Sequence, residues 1–462
     1  MGIAFRRLSI SALAAVSVLA ALPAKAETLA DALVSAYENS GLLEQNRATL
    51  RAADEGVAQA VARLRPVVSY TIASQRNYSN GDISGRFTET AHIDFSLPIY
   101  QFGRGNLAVE VQKETVLATR DALTGVEQQV LLRAVSAYMN VRRDLQSVDL
   151  SNNQVRLISE ELRAARDRFD VGEITRTDVS QAEASLALAR ANLAAREGSL
   201  AVSREEYRAV VGRYPSSLAR APRAPSAAAD MRAAVNIARQ NHPDLKGAQR
   251  QVTISELSLM STERQMLPSV NLTARTGVVE NDRDLTGNIG VSVTGPIYQG
   301  GQLKSLQRQS MAQRDASRAN LLLTGQRIEQ NVANAWSQLR VSQAQITASN
   351  RAITASRAAW EGVREEARLG ARTTLDVLDA EQNLLDARTN LASAQADAQI
   401  AAYTLLSSMG LLTAEHLNLG VQTYDPADYY NAVSGAPLGA ATSEQGERLD
   451  NLLRSIAGGG NN

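Results

Sequence analysis

A chain of 462 residues with 48 Lys and Arg against 48 Asp and Glu offers no basic surface for nucleic acid. It has no cysteine, and its three histidines stand at 92, 242 and 416. A disulfide framework and a thiolate metal site are therefore excluded, and no paired spacing suits a histidine zinc site. Aromatic residues make up only 4% while small and aliphatic ones abound, a composition suited to long, closely packed helices.

The first 26 residues, "MGIAFRRLSISALAAVSVLAALPAKA", read as a signal peptide. Arg6 and Arg7 precede an apolar run, and Ala24-Lys25-Ala26 supplies the small-x-small cleavage site. The mature chain is expected to begin at Glu27. Removing Arg6, Arg7 and Lys25 from the 48 basic residues leaves 45 against 48 acidic, a net charge of about −3. No later stretch of 18 apolar residues remains, so no transmembrane helix is expected.

Residues 27–222 read as a first structural repeat and residues 231–419 as a second, joined by a linker at 223–230. Each runs through a helical segment, two strands, a very long helix, a turn at a glycine and another long helix. In the first repeat the opening helical segment covers Leu29 to about Leu64, the strands lie near 67–75 and 87–97, and the turn is near Gly172. In the second, Met231 to about Met266 is helical, the strands lie near 269–278 and 285–295, and the turn is near Gly370. The copies align at an offset of 198, which sets "PIYQFGR" at Pro98 on "PIYQGGQ" at Pro296 and Asp178 on Asp376. The same offset sets Glu183 on Glu381, and upstream an offset of 202 sets Pro66 on Pro268. A period near 200 residues is too long for a solenoid and indicates two repeats building one body. Residues 420–462 are rich in Gly, Ser and Ala and are expected to form a flexible tail.

The long helical segment from about Asn106 to Phe169 contains no proline and one glycine, Gly125. Ala134, Val141, Val148, Val155, Leu162 and Phe169 recur every seven residues along it. Their counterparts Val332, Leu339, Ile346, Ile353, Trp360 and Ala367 are apolar too. An unbroken spacing of seven is a coiled-coil seam, whereas ordinary amphipathic helices follow a looser 3.6 period.

The strand segments alternate with period two. "FTETAHIDFSLP" spaces Phe87, Ala91, Ile93, Phe95 and Leu97 on one face, with Glu89 the exception, and "LTGNIGVSVTGP" does so with Leu285, Ile289, Val291 and Val293. Half-buried strands of a soluble sheet alternate in the same way. The length of about ten residues, however, matches a tilted membrane-spanning strand. Four strands cannot close a barrel in lipid, so the chain must oligomerise, as a dimer with eight strands or a trimer with twelve. Pro66, Pro98, Pro268 and Pro296 are expected where helix meets strand, ending the ladder.

The duplication, the two "PIYQ" strand exits, "FDVGEITRTDV" at 169–179 and "RTTLDVLDA" at 372–380 together resemble the TolC family of outer-membrane efflux and type I secretion channels. The resemblance spans Thr28 to about Leu419. It implies an α+β membrane channel in which long coiled-coil helices form an α-barrel through the periplasm. Four transmembrane β-strands per chain would complete a trimeric 12-stranded β-barrel in outer-membrane lipid. Expected partners are two further copies of the chain, a periplasmic adaptor (membrane fusion) protein and an inner-membrane ABC or RND-type transporter. The lack of cysteine implies the unacylated branch.

The same resemblance implies roles for residues at the far end of the helices. Gly172 with Glu173, and Gly370 with Ala371, would form the periplasmic tip turns and adaptor contact. Arg372, Thr177 and Asp178 would form a closing lock, although Ala367 stands where the family has the lock's tyrosine. Asp376 and Asp379 would form a gate ring, six carboxylates in a trimer, crowded enough to share protons or hold cations. Thr175-x-x-Asp178 and Thr373-x-x-Asp376 also fit helix N-terminal capping boxes. Capping accounts for Asp178 and Asp376 but not for Asp379, whose counterpart is Gln181.

No cofactor and no enzymatic activity is expected, since no nucleophile set, phosphate loop or metal spacing stands out. The alternative to a channel is a non-channel periplasmic coiled-coil adaptor or scaffold. It shares the signal, the heptads and the lack of cysteine, but does not need paired amphipathic strands in both halves.

Overall fold

The computed structural model describes residues 26–76, 87–222, 224–225, 228–279 and 285–438. The expected signal segment up to Lys25, both hairpin tips, parts of the linker and the tail beyond 438 lie outside the described residues. The elements of the first half are α1 (Leu29–Asn39), α2 (Gly41–Ala62), β1 (Val67–Gln75), β2 (Thr88–Tyr100), α3 (Arg104–Asp170) and α4 (Arg176–Val211). Those of the second are α5 (Met231–Asn241), α6 (Pro243–Arg264), β3 (Ser269–Val279), β4 (Leu285–Thr294), α7 (Gln302–Arg368) and α8 (Thr374–Ser408), followed by α9 (Pro426–Val433). The repeat shows in the lengths. The paired helices have 11 and 11, 22 and 22, 67 and 67, and 36 and 35 residues.

Local chemistry sets the boundaries. The opening helical segment of each half is two helices rather than the single one expected. Ser40 is extended after α1, and Pro243, which favours the first helical position, opens α6 after an extended His242. Thr28 caps α1 through a reciprocal box with Asp31, and Asp230 caps α5. At 67 residues α3 and α7 are each about 100 Å long.

The four strands form one antiparallel sheet in the order β1-β2-β3-β4. Pro66 and Pro268 immediately precede β1 and β3, and Pro296 follows the end of β4. Pro98 departs from expectation. It lies inside β2, opposite Asn271, and the register slips between Pro98 and Tyr100. The missing N–H is absorbed by this irregularity rather than by ending the strand.

The chain divides into two compact units. One comprises residues up to Ser40, Leu131–Pro225 and Gln338–Tyr403. In it Ile158 and Leu162 of α3 pack with Ala182 and Leu186 of α4 and Leu378 of α8. Of the expected seam on α3, Ala134, Val141 and Leu162 are buried, Val148 and Val155 partly so, and Phe169 is exposed. A second row three residues on, Ala137, Asp144, Ser151, Ile158 and Ala165, is buried throughout. The two rows are the a and d positions of one heptad. The sequence disguised the second because it carries Asp144 and Ser151; Asp144 is satisfied there by Arg143 at 2.9 Å and by the Ser203 hydroxyl of α4.

The other unit comprises Gly41–Val130, Ser226–Ser337 and the chain from Thr404. Its small core of Leu50, Val57 and Val116 is covered by Tyr424 and Tyr430. The expectation of a flexible tail from 420 therefore needs correction as far as 438. Asp425 and Pro426 start α9, Arg120 donates to the Pro426 carbonyl at 2.9 Å, and Arg65 donates to that of Ala436 at 2.6 Å. Tyr424 and Tyr430 supply the apolar area that the surrounding Gly and Ala conceal.

Candidate functional site

The strand register brings four separate alternations into phase. Val68 lies opposite Phe95, Tyr70 opposite Ile93, Leu97 opposite Leu272, Leu272 opposite Val291 and Ala274 opposite Ile289. Directly opposed residues share a sheet face, so one face is mainly apolar across all four strands, with Ser74, Glu89 and Thr276 as its polar exceptions. It is also open: Tyr70 is 79% exposed, Ile289 77% and Val293 68%. A patch this continuous is unsuited to water and is the face a membrane-spanning strand turns to lipid. The other face carries Ser69, Thr71, His92, Asp94, Ser96, Asn271, Thr273, Arg275 and Asn288. On it Arg275 donates to Asp94 at 2.6 Å, and the His92 imidazole lies 3.6 Å from the same carboxylate. Such a sheet divides an apolar medium from a polar interior. Among the described residues, no helix is long and apolar enough to cross a membrane.

At the helix ends, Gly172 and Gly370 both have φ of +79°, a conformation that glycine adopts without strain. Each lets the chain reverse through the same pair of bonds. Gly172 and Glu173 N–H donate to Phe169 and Arg168 carbonyls at 2.9 Å each. Gly370 and Ala371 donate to Ala367 and Glu366 at 3.1 and 2.9 Å. These are helix C-terminal motifs of the Schellman kind. The apolar residues just before the glycines, Val171 and Leu369, are exposed.

Both following helices begin with a capping box. Thr175 N–H and hydroxyl donate to Asp178 at 2.9 and 2.7 Å, and Thr373 does the same to Asp376 at 2.9 and 2.8 Å. The Thr175 hydroxyl and backbone hold the Asp178 carboxyl below its ordinary range; the Thr373 backbone and hydroxyl do so for Asp376. Asp379 is exposed one turn further along α8, on the side of the helix shared by residues three apart. Thr177 is exposed as well. Within the chain Arg372 meets neither Thr177 nor Asp178. Its Nε donates to Glu366 at 2.9 Å, and that bond draws its basicity upward.

Two residues escaped the sequence reading. Glu366 is the partner of Arg372. Glu381 is buried on α8 at 6% exposure with Oε1 unbonded, although its counterpart Glu183 makes an exposed ion pair with Arg166 at 2.6 Å. The signal was present in the offset of 198, since Leu162 becomes Trp360 while Arg166, the partner of Glu183, is kept as Arg364 four residues further on. Among the described residues, no cluster of acids and histidines is arranged to hold a metal ion.

A family profile described as "Outer membrane efflux protein" matches residues 32–213 and 234–411, one stretch in each half. Outer membrane efflux protein BepC of Brucella suis biovar 1 is 35% identical over 437 residues, covering 93% of this chain and 95% of that protein. Outer membrane protein TolC of Escherichia coli is 24% identical over 416 residues, 84% of each chain. Among solved structures, the Campylobacter jejuni CmeC outer membrane channel superposes with a TM-score of 0.74 at 16% identity, over 89% of this chain and 90% of that one. The open state of the Neisseria gonorrhoeae MtrE outer membrane channel gives 0.70 at 18% identity, over 84% and 90%. These structural likenesses speak for the fold alone. The sheet's apolar face, which a soluble scaffold has no use for, agrees with the profile, and the chain belongs to the outer membrane efflux protein family, the TolC family of outer-membrane channels.

Proposed function

We propose that three copies of this outer-membrane channel protein close a twelve-stranded barrel in lipid and that their long helices continue it as a duct into the periplasm. One observation carries the reading. A single chain presents a four-stranded sheet, mainly apolar on one face, with β1 and β4 as its edge strands. Edges left open in hydrocarbon cost several kcal/mol for each unpaired backbone group, so each edge must meet another copy. Eight strands would also close a barrel. Mass measurement in detergent decides between them. A trimer is expected, and a monodisperse monomer or dimer overturns the reading.

The tip turns at Gly172, Glu173, Gly370 and Ala371 are proposed to meet a periplasmic adaptor, with exposed Val171 and Leu369 as apolar contacts. That adaptor would couple the duct to an inner-membrane transporter of ABC or RND type. Asp376 and Asp379, six carboxylates in the trimer, form the proposed gate, and Arg372 its lock with Thr177 and Asp178. The proposed activity is conduction, with no chemical step on the cargo. BepC is named for efflux, while AprF of Pseudomonas aeruginosa, 26% identical over 306 residues, is named for secretion of an alkaline protease. A small molecule and a polypeptide are both cargo this duct could carry. Cysteines placed at Glu173 and Ala371 are expected to crosslink to the adaptor in cells.

A further inference from the structure

The two halves treat one acid differently. In the first, Glu183 on α4 stands in solvent, paired with Arg166 of α3 at 2.6 Å. In the second, the matching arginine, Arg364 of α7, lies over the Trp360 ring at 5.3 Å. The matching acid, Glu381 of α8, is turned inward at 6% exposure with Oε1 unbonded. Trp360 replaces Leu162 of the first half, and its face holds the guanidinium by a cation–π contact. The duplicated ion pair has been taken apart in the half that also carries Asp376 and Asp379.

Glu381 sits beside buried apolar residues and is acted on by charged groups of both signs. Leu378, Leu384 and Ala387 of its own helix are buried around the same turns. Ala182 and Leu186 of α4 share the Leu378 cluster with Ile158 and Leu162 of α3. The charged groups acting on it are Glu160 and Glu161 of α3, Arg364 of α7 and Arg388 of α8. Beside it, Gln154 of α3 donates to Gln382 at 2.7 Å, and Gln382 donates on to Asp386 at 2.9 Å. α3 and α8 are thus bridged here by the neutral Gln154–Gln382 bond, with the buried Glu381 next to it in sequence.

Resting on the gate reading above, we propose that Glu381 is a positioning residue for the gate, a proton-controlled latch on the seam between α3 and α8. With the carboxyl neutral the seam stays packed and α8 holds Asp376 and Asp379 at the narrow mouth. When it ionises, a buried charge with Oε1 unbonded sits in the seam, its desolvation and the carboxylates of Glu160 and Glu161 outweighing the pull of Arg364 and Arg388, and the seam loosens toward the open state. Glu381 itself touches no cargo.

The sign follows from the environment. Burial first, then the charge of Glu161, raise the Glu381 carboxyl from 4.5 to about 7, against the opposing pull of Arg364 and Arg388. The packed seam therefore holds the proton more tightly than a loosened one. Its advantage is complete below about 4.5 and is lost as pH rises through about 7. One proton per chain changes the open-to-closed ratio by at most about tenfold per pH unit in that window.

Single-channel recording of the intact channel in planar bilayers between pH 5 and 8 tests the latch. Open occupancy of the parent is expected to rise with pH. Glu381→Gln should hold it at the low-pH level throughout, and Glu161→Gln should move the midpoint to lower pH. Oligomer formation on gels checks that both variants assemble. A parental pH profile in Glu381→Gln, or an unmoved midpoint in Glu161→Gln, overturns the proposal. Cation block of an Asp376→Asn/Asp379→Asn variant is read alongside. If block is lost there while Glu381→Gln behaves as the parent, the latch is wrong and the gate stands; if block persists, the gate reading falls and the latch with it.

Discussion

Arg213 donates to the Glu27 carboxylate at 2.7 Å across 186 residues of sequence, and Tyr207 and Ser216 complete the acid's bonding. The Glu27 backbone is held as well, its N–H by Ser217 at 2.8 Å and its carbonyl by Ala219 and the Tyr138 hydroxyl. Burial raises the Glu27 carboxyl, but the bonds from Arg213, Tyr207 and Ser216 outweigh it and hold the group below 4.5. The stabilisation is therefore present above about 4.5 and lost as pH falls through the lowered value. Tyr207→Phe is expected to cost about 1–3 kcal/mol at pH 7. Glu27→Gln should flatten the acid limb of a thermal melt below pH 4.5, and an unchanged limb would show that the bonds do not matter.

The sheet faces allow a paired test. Ile289→Lys puts a charge on the apolar face of β4, where a charge at mid-membrane costs about 2–4 kcal/mol. Asn288→Lys puts the same charge one residue away on the polar face. The first is expected to reduce assembled channel in the outer membrane and the second to leave it near the parental level. Fractionation and gel mobility of unheated samples give the readout. Equal loss from both would contradict the assignment of faces.

Periodicity carried most of the fold. Period seven marked the α3 seam because Val141 and Leu162 face inward, and period two marked β2 and β4 because their apolar positions share one register. Where polar residues occupy buried places the pattern broke, as at Asp144 and Ser151, and a whole row was missed. Pro98 misled for the opposite reason, since a strand irregularity can absorb its missing N–H. At the tip, Gly172 and Gly370 and both capping boxes were legible from spacing alone. The Arg372–Glu366 pair was not, because it joins residues six apart across a turn, a spacing that no helix face predicts.

The ordered part of the tail gives a third test. Asp54 is fully buried on α2 with both carboxylate oxygens unbonded, next to the strap in which Arg120 lies over the Tyr430 ring at 5.3 Å. Burial lifts the Asp54 carboxyl from 3.8 to about 6 despite the charge of Arg120. Stability from the protonated form is complete below 3.8 and lost as pH rises through about 6. Asp54→Asn should therefore raise Tm at pH 7.5 and change it little at pH 4. Tyr430→Ala should lower it by uncovering Leu50 and Val116, with faster hydrogen exchange in α9. An Asp54→Asn variant destabilised at pH 7.5 would show that the ionised acid is needed.

The proposed gate is the sharpest test, because its candidate residues are of two kinds. Asp376 is the acid of the capping box that Thr373 opens for α8, and an alanine there would remove the acceptor of the Thr373 N–H and weaken the helix start whatever the channel does. Asparagine keeps an acceptor for the Thr373 N–H and removes only the charge, so Asp376→Asn with Asp379→Asn separates gating from capping. That pair should abolish block by multivalent cations applied from the periplasmic side, since six carboxylates at one mouth attract cations more strongly than any lone surface acid. Arg372 must leave Glu366 before it can reach the Thr177–Asp178 corner, so the two acids compete for it. Glu366→Gln is expected to free the arginine and lower resting conductance, and Arg372→Ser to raise it by removing a charged hydrogen bond. Single-channel recording decides all three. Block retained in the asparagine pair, together with unchanged conductance in Arg372→Ser, would mean that these residues shape the tip without closing it.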